Sequence, residues 1–87
     1  MNFGAALQEL KRGNKTARSG WNGKKMWLRY VPASGYAIAA GADDSKDENP
    51  CNPELLPWIG MKTADNKFVP WLASQTDVLA DDWSIVV

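Results

Sequence analysis

The chain has 87 residues, ten basic and ten acidic side chains, no histidine and one cysteine. This length suits a single domain, 1–87, with a modest core. The lone cysteine excludes an internal disulfide, and without histidine a transition-metal site is unfavourable, so we expect no metal and no cofactor. No apolar run approaches the roughly 20 residues that span a bilayer, and we expect a soluble protein of the cytoplasm with no membrane partner.

The charges are unevenly distributed along the chain. Residues 1–29 carry seven basic side chains and one acidic one, a net charge of +6, whereas residues 30–87 carry a net charge of −6. A total of zero argues against binding to a nucleic-acid polymer, which is driven by counterion release on a net basic surface. The local basic patch still permits a small anionic ligand. It equally permits head-to-tail docking of basic and acidic halves, within a chain or between subunits.

The N-terminal residues predict an amphipathic helix. Asn2 can cap its start, and Gly13 is a typical stop just beyond its end. The apolar residues follow the spacing i, i+3, i+4, i+7, which places them on one face that we expect to be core: Phe3, Ala6, Leu7 and Leu10.

Short strands and one short helix are predicted in the rest of the chain. The pair Asn22-Gly23 predicts a tight hairpin turn after a first strand at residues 16–18, and Ser74 with Asp77 predicts a capping box at the start of a short helix. Residues 33–56 form a loop-rich, variable segment. The remaining strands are expected at residues 26–31, 57–63, 67–69 and 83–87. The predicted fold class is α+β, with the N-terminal helix packed on a small antiparallel β-sheet and a short helix before the C-terminal strand.

The sequence predicts no catalytic residues. It lacks the histidine of the common nucleophilic triads. Asp81 and Asp82 are adjacent, so their side chains diverge, and the acidic residues at 43–48 do not have the spacing of a calcium-binding loop. We therefore expect a binding protein and not an enzyme.

Five tryptophans are many for a core of this size. Trp21 lies in a glycine-bounded turn, where it serves either as a lid over the core edge or as a platform for a ligand. Trp71 follows Pro70 and precedes the predicted helix start at Ser74, a position that favours ligand binding. The aromatic and aliphatic residues predicted as core in the strands are Trp27, Trp58, Ile59, Phe68 and Trp83.

A set of motifs follows in order along nearly the whole chain outside residues 33–56. They are Asn2–Leu7, Ala17–Gly23, Met26–Leu28, Pro57–Asp65, Phe68–Trp71, Ser74–Asp77 and Leu79–Trp83. In this order they resemble the second family of Thoeris anti-defence proteins, small proteins of phages and prophages. Lys25 stands where that family often has glycine.

The resemblance implies a sponge for an immune signal. Members bind the cyclic ADP-ribose isomer made by bacterial TIR-domain defence proteins and hold it without degrading it, in the cytoplasm of the host cell. Some members also hold the cyclic oligonucleotides of CBASS defence. The resemblance also implies a homotetramer that is a dimer of dimers, with ligand pockets between protomers. The implied partners are therefore a small cyclic nucleotide signal and further copies of the chain.

For such a ligand the candidate site combines flat rings, amides and hydrogen-bond donors that can bind a phosphate. Stacking contributes about 1–3 kcal/mol per base, and the stacking faces are assigned to Trp21 and Trp71. The other ligand-binding candidates are Asn22 and Gln75 as readers of base edges or ribose, Arg18 with backbone N–H groups near Gly23 and Ser74 for phosphate, Asp77 for ribose hydroxyls or for capping, and Met26. Two alternatives remain open: a structural or protein-binding module whose tryptophans form an oligomer interface, and an enzyme that cleaves the nucleotide.

Overall fold

The structure is a computed structural model that describes residues 1–33 and 54–87. It confirms the predicted α+β class. A nine-residue helix, α1, comes first, and a four-residue helix, α2, precedes the last strand. The elements in chain order are α1 (Phe3–Lys11), β1 (Lys15–Arg18), a 3₁₀ helix (Ser19–Lys24), β2 (Trp27–Val31), β3 (Trp58–Lys62), β4 (Phe68–Pro70), α2 (Gln75–Val78) and β5 (Trp83–Val86).

The five strands form one antiparallel sheet in the order β4-β3-β2-β1-β5. The last strand lies beside the first, with Lys15 opposite Val86 and Arg18 opposite Trp83. Residues from the two ends of the chain are therefore neighbours in the sheet, and this pairing sets the position of the candidate site.

The core lies between α1 and one face of the sheet. Ala6 and Leu10 of the helix are fully buried against Leu28 and Trp83, which confirms the apolar stripe predicted for α1. The side chain of Asn2 accepts a hydrogen bond from the Ala5 N–H at 2.9 Å and caps the helix. The side chains of β2 alternate between the two faces of the sheet, with Leu28 buried and its neighbour Arg29 exposed.

The connection between β1 and β2 differs from the predicted tight hairpin turn. The two strands pair antiparallel, with Thr16 opposite Leu28, but residues 19–26 separate them and most of these form the 3₁₀ helix. Asn22 and Gly23 lie inside that helix. The left-handed backbone conformation falls instead on Lys25, whose φ is 56°. The longer connection places Trp21, within the 3₁₀ helix, at the edge of the core.

The second correction concerns Phe68, which the sequence placed in the core. It is 48% exposed, because β4 carries it on the sheet face opposite α1, called here the far face. Its ring lies directly over Gly60 and packs near Trp27 and Trp58, with ring centroids 6.4 Å and 6.0 Å away. Ile59 and Trp83 are part of the α1 side of the sheet, as predicted.

Some predictions fall outside the described residues. The variable segment at 33–56 lies mostly within residues 34–53, which also contain Cys51 and the acidic run at 43–48. In the two described ranges, no helix combines the length and apolar character that crossing a membrane requires.

Candidate functional site: an indole cluster beside α2

Three tryptophans and one phenylalanine meet at one end of the core; we call them the indole cluster (Phe3, Trp21, Trp71 and Trp83). Trp83 lies at its centre and is 1% exposed. Its ring centroid is 5.3 Å from that of Trp21, 6.0 Å from that of Trp71 and 5.4 Å from that of Phe3. Trp21 and Trp71 are only partly buried. The cluster therefore has a sealed centre and an accessible rim.

Trp21 is placed by the 3₁₀ helix, whose first residue is anchored to the start of β5. The Ser19 N–H donates to the carbonyl oxygen of Asp82 at 3.1 Å, and the Ser19 hydroxyl donates to the Asp82 carboxylate at 2.8 Å. On the other side of Trp21, its carbonyl oxygen accepts from the Met26 N–H at 3.5 Å. Trp21 thus packs on the core edge, which is the lid role, and keeps accessible surface; its role as a platform for a ligand stays a prediction.

Trp71 is placed by β4 and by the start of α2. Its N–H donates to the Ile59 carbonyl at 2.9 Å, which holds the chain on the sheet just after Pro70. Ser74 then caps α2: its hydroxyl oxygen accepts from the Asp77 N–H at 3.1 Å, and the Asp77 carboxylate accepts from the Ser74 N–H. This is the predicted capping box.

One residue of α2 also holds the central indole. The Trp83 Nε1–H donates to the carbonyl oxygen of Asp77 at 2.9 Å. A buried indole N–H needs such an acceptor. Because the acceptor is a backbone carbonyl, the identity of the residue at position 77 does not reveal it in the sequence. Asp77 therefore contributes its carbonyl to Trp83 and its carboxylate to the helix cap.

Arg18 links this helix to the start of β5. Its Nη1 donates to the Asp77 carboxylate and its Nε donates to the Asp82 carboxylate, each at 2.9 Å. These contacts raise the pKa of Arg18, Asp82 first and Asp77 second. Hydrogen bonds from Arg18 and then Ser19 lower the pKa of Asp82. Burial raises the pKa of Asp77, but the bonds from Arg18 and Ser74 outweigh burial and the net shift is downward.

The structure brings most of the candidate residues to this one place. Trp21 and Trp71 are in contact, with ring centroids 6.3 Å apart, and Arg18 and Asp77 form an ion pair. Asn22 and Gly23 directly follow Trp21 in the 3₁₀ helix. Gln75 is the exposed first residue of α2, and Met26 is partly buried just before β2.

Sequence reasoning did not include three participants in the site. Phe3 and Trp83 were assigned to the core alone, yet both contact Trp71. Asp82 was not among the candidate site residues, yet it binds Arg18 and Ser19. No local pattern points to the contacts of Asp82 or to that of Phe3 with Trp71, because they join residues more than 60 positions apart in the chain.

The two outer indoles are not arranged as a parallel clamp. The planes of Trp21 and Trp71 meet at 77°, edge to face. A flat ring that stacks on one of them in this arrangement therefore cannot stack on the other at the same time. Within the described residues, no group of three or more acidic or cysteine side chains is placed to hold a metal ion.

Fold and site together define a small α+β domain with an aromatic surface that is bordered by carboxylates. The sequence model of the Thoeris anti-defense 2-like domain matches residues 1–86. The chain is also 48% identical over 86 residues to a protein of Bacillus phage SP01 named Thoeris anti-defense 2, a match that covers 99% of this chain and 94% of the relative. The chain therefore belongs to the Thoeris anti-defense 2-like family, whose name denotes an anti-defence role and not an enzymatic activity.

Proposed function

We propose that this protein is a phage anti-defence sponge that binds a cyclic nucleotide immune signal in the host cytoplasm and holds it unchanged. The expected ligand is a cyclic ADP-ribose isomer of Thoeris defence, with the cyclic oligonucleotides of CBASS as further ligands. Family membership supports the anti-defence role. The single structural observation that carries the binding proposal is the accessible rim of the indole cluster.

That rim offers stacking surfaces that are already fixed in place. Trp21 and Trp71 rest on the buried Trp83, so little side-chain freedom is lost when a ligand binds. A cyclic ADP-ribose isomer presents a purine face, riboses and phosphates. The purine is proposed to stack on one of the two rim indoles, while the other covers a different part of the ligand.

A single stack is too weak for a sponge. Nanomolar affinity corresponds to about −12 kcal/mol, whereas one stacked base contributes about 1–3 kcal/mol. Since Trp21 and Trp71 are nearly perpendicular, one protomer does not supply a second parallel face. We therefore propose that the ligand lies in a cleft completed by a second copy of the chain.

Polar recognition is proposed for the residues that flank the two indoles. Asn22 and Gln75 are proposed to read base edges or ribose, and Met26 and the backbone near Gly23 and Ser74 are proposed to complete the surface. Arg18 and Asp77 already bind each other, and their part in ligand binding is taken up in the next subsection.

The state of the carboxylates disfavours general-acid catalysis by Asp77 and Asp82. The pKa of Asp82 is lowered by hydrogen bonds from Arg18 and Ser19, and that of Asp77 is lowered by Arg18 and Ser74 against the effect of burial. Both groups are therefore ionised at neutral pH and poor proton donors. The test is to incubate protein with the signal, denature the protein and identify the released compound. Recovery of a cleaved product would establish the enzymatic alternative.

The binding proposal predicts that either rim indole can be removed only at the cost of affinity. Trp21→Ala and Trp71→Ala should each weaken binding of a cyclic ADP-ribose isomer by about fivefold or more in calorimetry, since one stack contributes about 1–3 kcal/mol. Val87→Ala is the control, because Val87 is exposed just beyond the end of β5, outside the indole cluster and at the sheet edge opposite Phe68. Equal losses in all three variants, or circular dichroism showing that Trp21→Ala is unfolded, would contradict the assignment.

Self-association into a dimer of dimers is the second part of the proposal. The far face supports it, since Phe68 is 48% exposed beside Trp27, and aromatic side chains are enriched in subunit interfaces. Light scattering coupled to gel filtration should show a tetramer, and Phe68→Ser should reduce its mass. A monomeric wild-type protein would contradict a shared cleft.

A further inference from the structure

Two chain segments carry the rim indoles, and neither is held in place by the indoles alone. We call residues 19–24 the Trp21 arm and residues 71–78 the Trp71 arm. The first arm is the 3₁₀ helix, and the second ends in α2. They come from opposite ends of the chain, so their spacing must be set by tertiary contacts.

Each arm is bound to a different aspartate. Asp82 accepts from both the N–H and the hydroxyl of Ser19, through its carbonyl and its carboxylate respectively, and so anchors the Trp21 arm. Asp77 accepts through its carboxylate from the N–H and the hydroxyl of Ser74, and so closes the Trp71 arm. Arg18 donates to both carboxylates.

We propose that Arg18 is a positioning residue that braces the Trp21 arm against the Trp71 arm by bridging Asp82 and Asp77. The contacts form a continuous path from Ser19 through Asp82, Arg18 and Asp77 to Ser74, and the contact between Trp21 and Trp71 closes it into a ring. Arg18 acts on the ligand through this ring, by fixing the geometry of the two stacking surfaces.

The chemistry of the guanidinium suits a brace better than a ligand contact. Its fixed fork donates in two directions at once, from Nε and from Nη1, which a lysine ammonium on a flexible stem does not reproduce. The side chains of Arg18 and Asp77 are 23% and 16% exposed, so solvent screens their contact less than a surface pair. One positive charge faces two carboxylates, and the local net charge is negative, which disfavours a phosphate at this point.

The experiment combines a readout without ligand and a readout with ligand. Neighbouring indoles produce an exciton couplet in circular dichroism that depends on their mutual geometry, and it reports the arms directly. Affinity for a cyclic ADP-ribose isomer is measured by calorimetry and rests on the proposed function. The variants are Arg18→Lys, which keeps the charge but not the fork, and Asp82→Asn, which removes the negative charge at one end of the bridge. Arg12→Lys is the control, since Arg12 pairs with Glu9 within α1 and is 69% exposed.

The brace predicts that Arg18→Lys and Asp82→Asn both fold cooperatively, both lose most of the couplet and both bind the ligand about tenfold more weakly, as expected from lost preorganisation, while Arg12→Lys does neither. An unchanged couplet in either variant overturns the proposal, including when affinity falls, because Arg18 would then contact the ligand directly. Tighter binding by Asp82→Asn also overturns it, since that result identifies Arg18 as an anion ligand restrained by Asp82. If wild-type protein binds no cyclic nucleotide, the proposed function fails, and the couplet still decides the brace.

Discussion

Thr16 is the one buried residue whose polar side chain has no partner among the described residues. It is fully buried on β1, beside Leu28 in the neighbouring strand. A buried hydroxyl without a hydrogen bond loses its hydration and gains nothing in return. Valine has nearly the same shape as threonine and no hydroxyl, so it can replace Thr16 without leaving a buried polar atom unpaired.

We therefore expect Thr16→Val to raise the free energy of unfolding by about 1 kcal/mol, measured by urea denaturation. Thr63→Val is the control. The Thr63 hydroxyl contacts Asp65 and accepts from the Lys67 N–H at 3.0 Å, so its removal should lower stability. A destabilised Thr16→Val protein would show that the hydroxyl has a partner in the native state.

Lys25 has an unfavourable backbone conformation. Its φ of 56° lies in the left-handed region, which costs a residue with a Cβ about 1 kcal/mol. The resemblance to the family pointed to glycine here, and the backbone explains that preference. The backbone carbonyl oxygen of Lys25 accepts a hydrogen bond from Lys62 Nζ at 2.9 Å. A glycine at this position would keep that bond, because the lysine side chain takes no part in it.

Lys25→Gly should stabilise the protein by about 0.5–1 kcal/mol, because the relief of strain exceeds the extra freedom of glycine in the unfolded chain. Thermal melting measures the gain. Lys24→Gly, at the end of the 3₁₀ helix, should have the opposite sign. Loss of stability in Lys25→Gly would mean that the lysine side chain makes a favourable contact.

At the scale of elements, β3 and β4 depend on a glycine covered by an aromatic ring. A Cβ added to Gly60 would lie 2.2 Å from Cζ of Phe68. The Phe68 ring would have to move off Gly60 and away from Trp27 and Trp58, against which it packs. Such aromatic cover compensates for the missing side chain of a strand glycine.

Gly60→Ala should therefore lower the free energy of unfolding by about 1–3 kcal/mol. In a Phe68→Ala background the same substitution should cost much less, since the obstructing ring is absent. A double-mutant cycle measures this coupling. Additive effects would show that the ring moves aside freely and does not stabilise the strand pair.

Elements with strong local signals are those that the sequence predicted. The caps of α1 and α2 form between residues three positions apart, Asn2 with Ala5 and Ser74 with Asp77, so their chemistry is visible in the sequence. The connection after β1 was predicted wrongly because Asn22-Gly23 fits several tight conformations. A 3₁₀ helix forms in place of the hairpin turn. Its first residue, Ser19, is hydrogen-bonded to Asp82, which is distant in sequence.

At the scale of the whole molecule, the bridge through Arg18 makes stability depend on pH. The pKa of Asp82 is lowered by Arg18 and Ser19, and that of Asp77 is lowered by Arg18 and Ser74 despite burial. A carboxyl with a lowered folded-state pKa stabilises the fold fully above its unfolded pKa of about 3.9. That contribution is lost as pH falls through the lower, folded-state value.

We expect the melting temperature to be insensitive to these groups above about pH 5 and to fall progressively below about pH 4. Asp82→Asn should reduce the slope of that fall, since one of the titrating groups is gone. Melting curves across this range measure both effects. A wild-type protein with constant stability down to about pH 2 would contradict the lowered pKa values.

The α+β class, both helix caps, the core face of α1 and the nomination of Trp21 and Trp71 as candidate site residues all followed from the sequence alone. These depend on periodicity and on contacts within a few positions, which local physical chemistry fixes. Only the tertiary structure decided that β5 lies beside β1, which brings Trp83 and Asp82 to Arg18. It also decided that Phe68 lies on the far face and that Arg18 bridges two carboxylates. The contacts of Arg18 join residues 59 and 64 positions apart, and many alternative partners satisfy the same local patterns, so only the packed sheet selects among them.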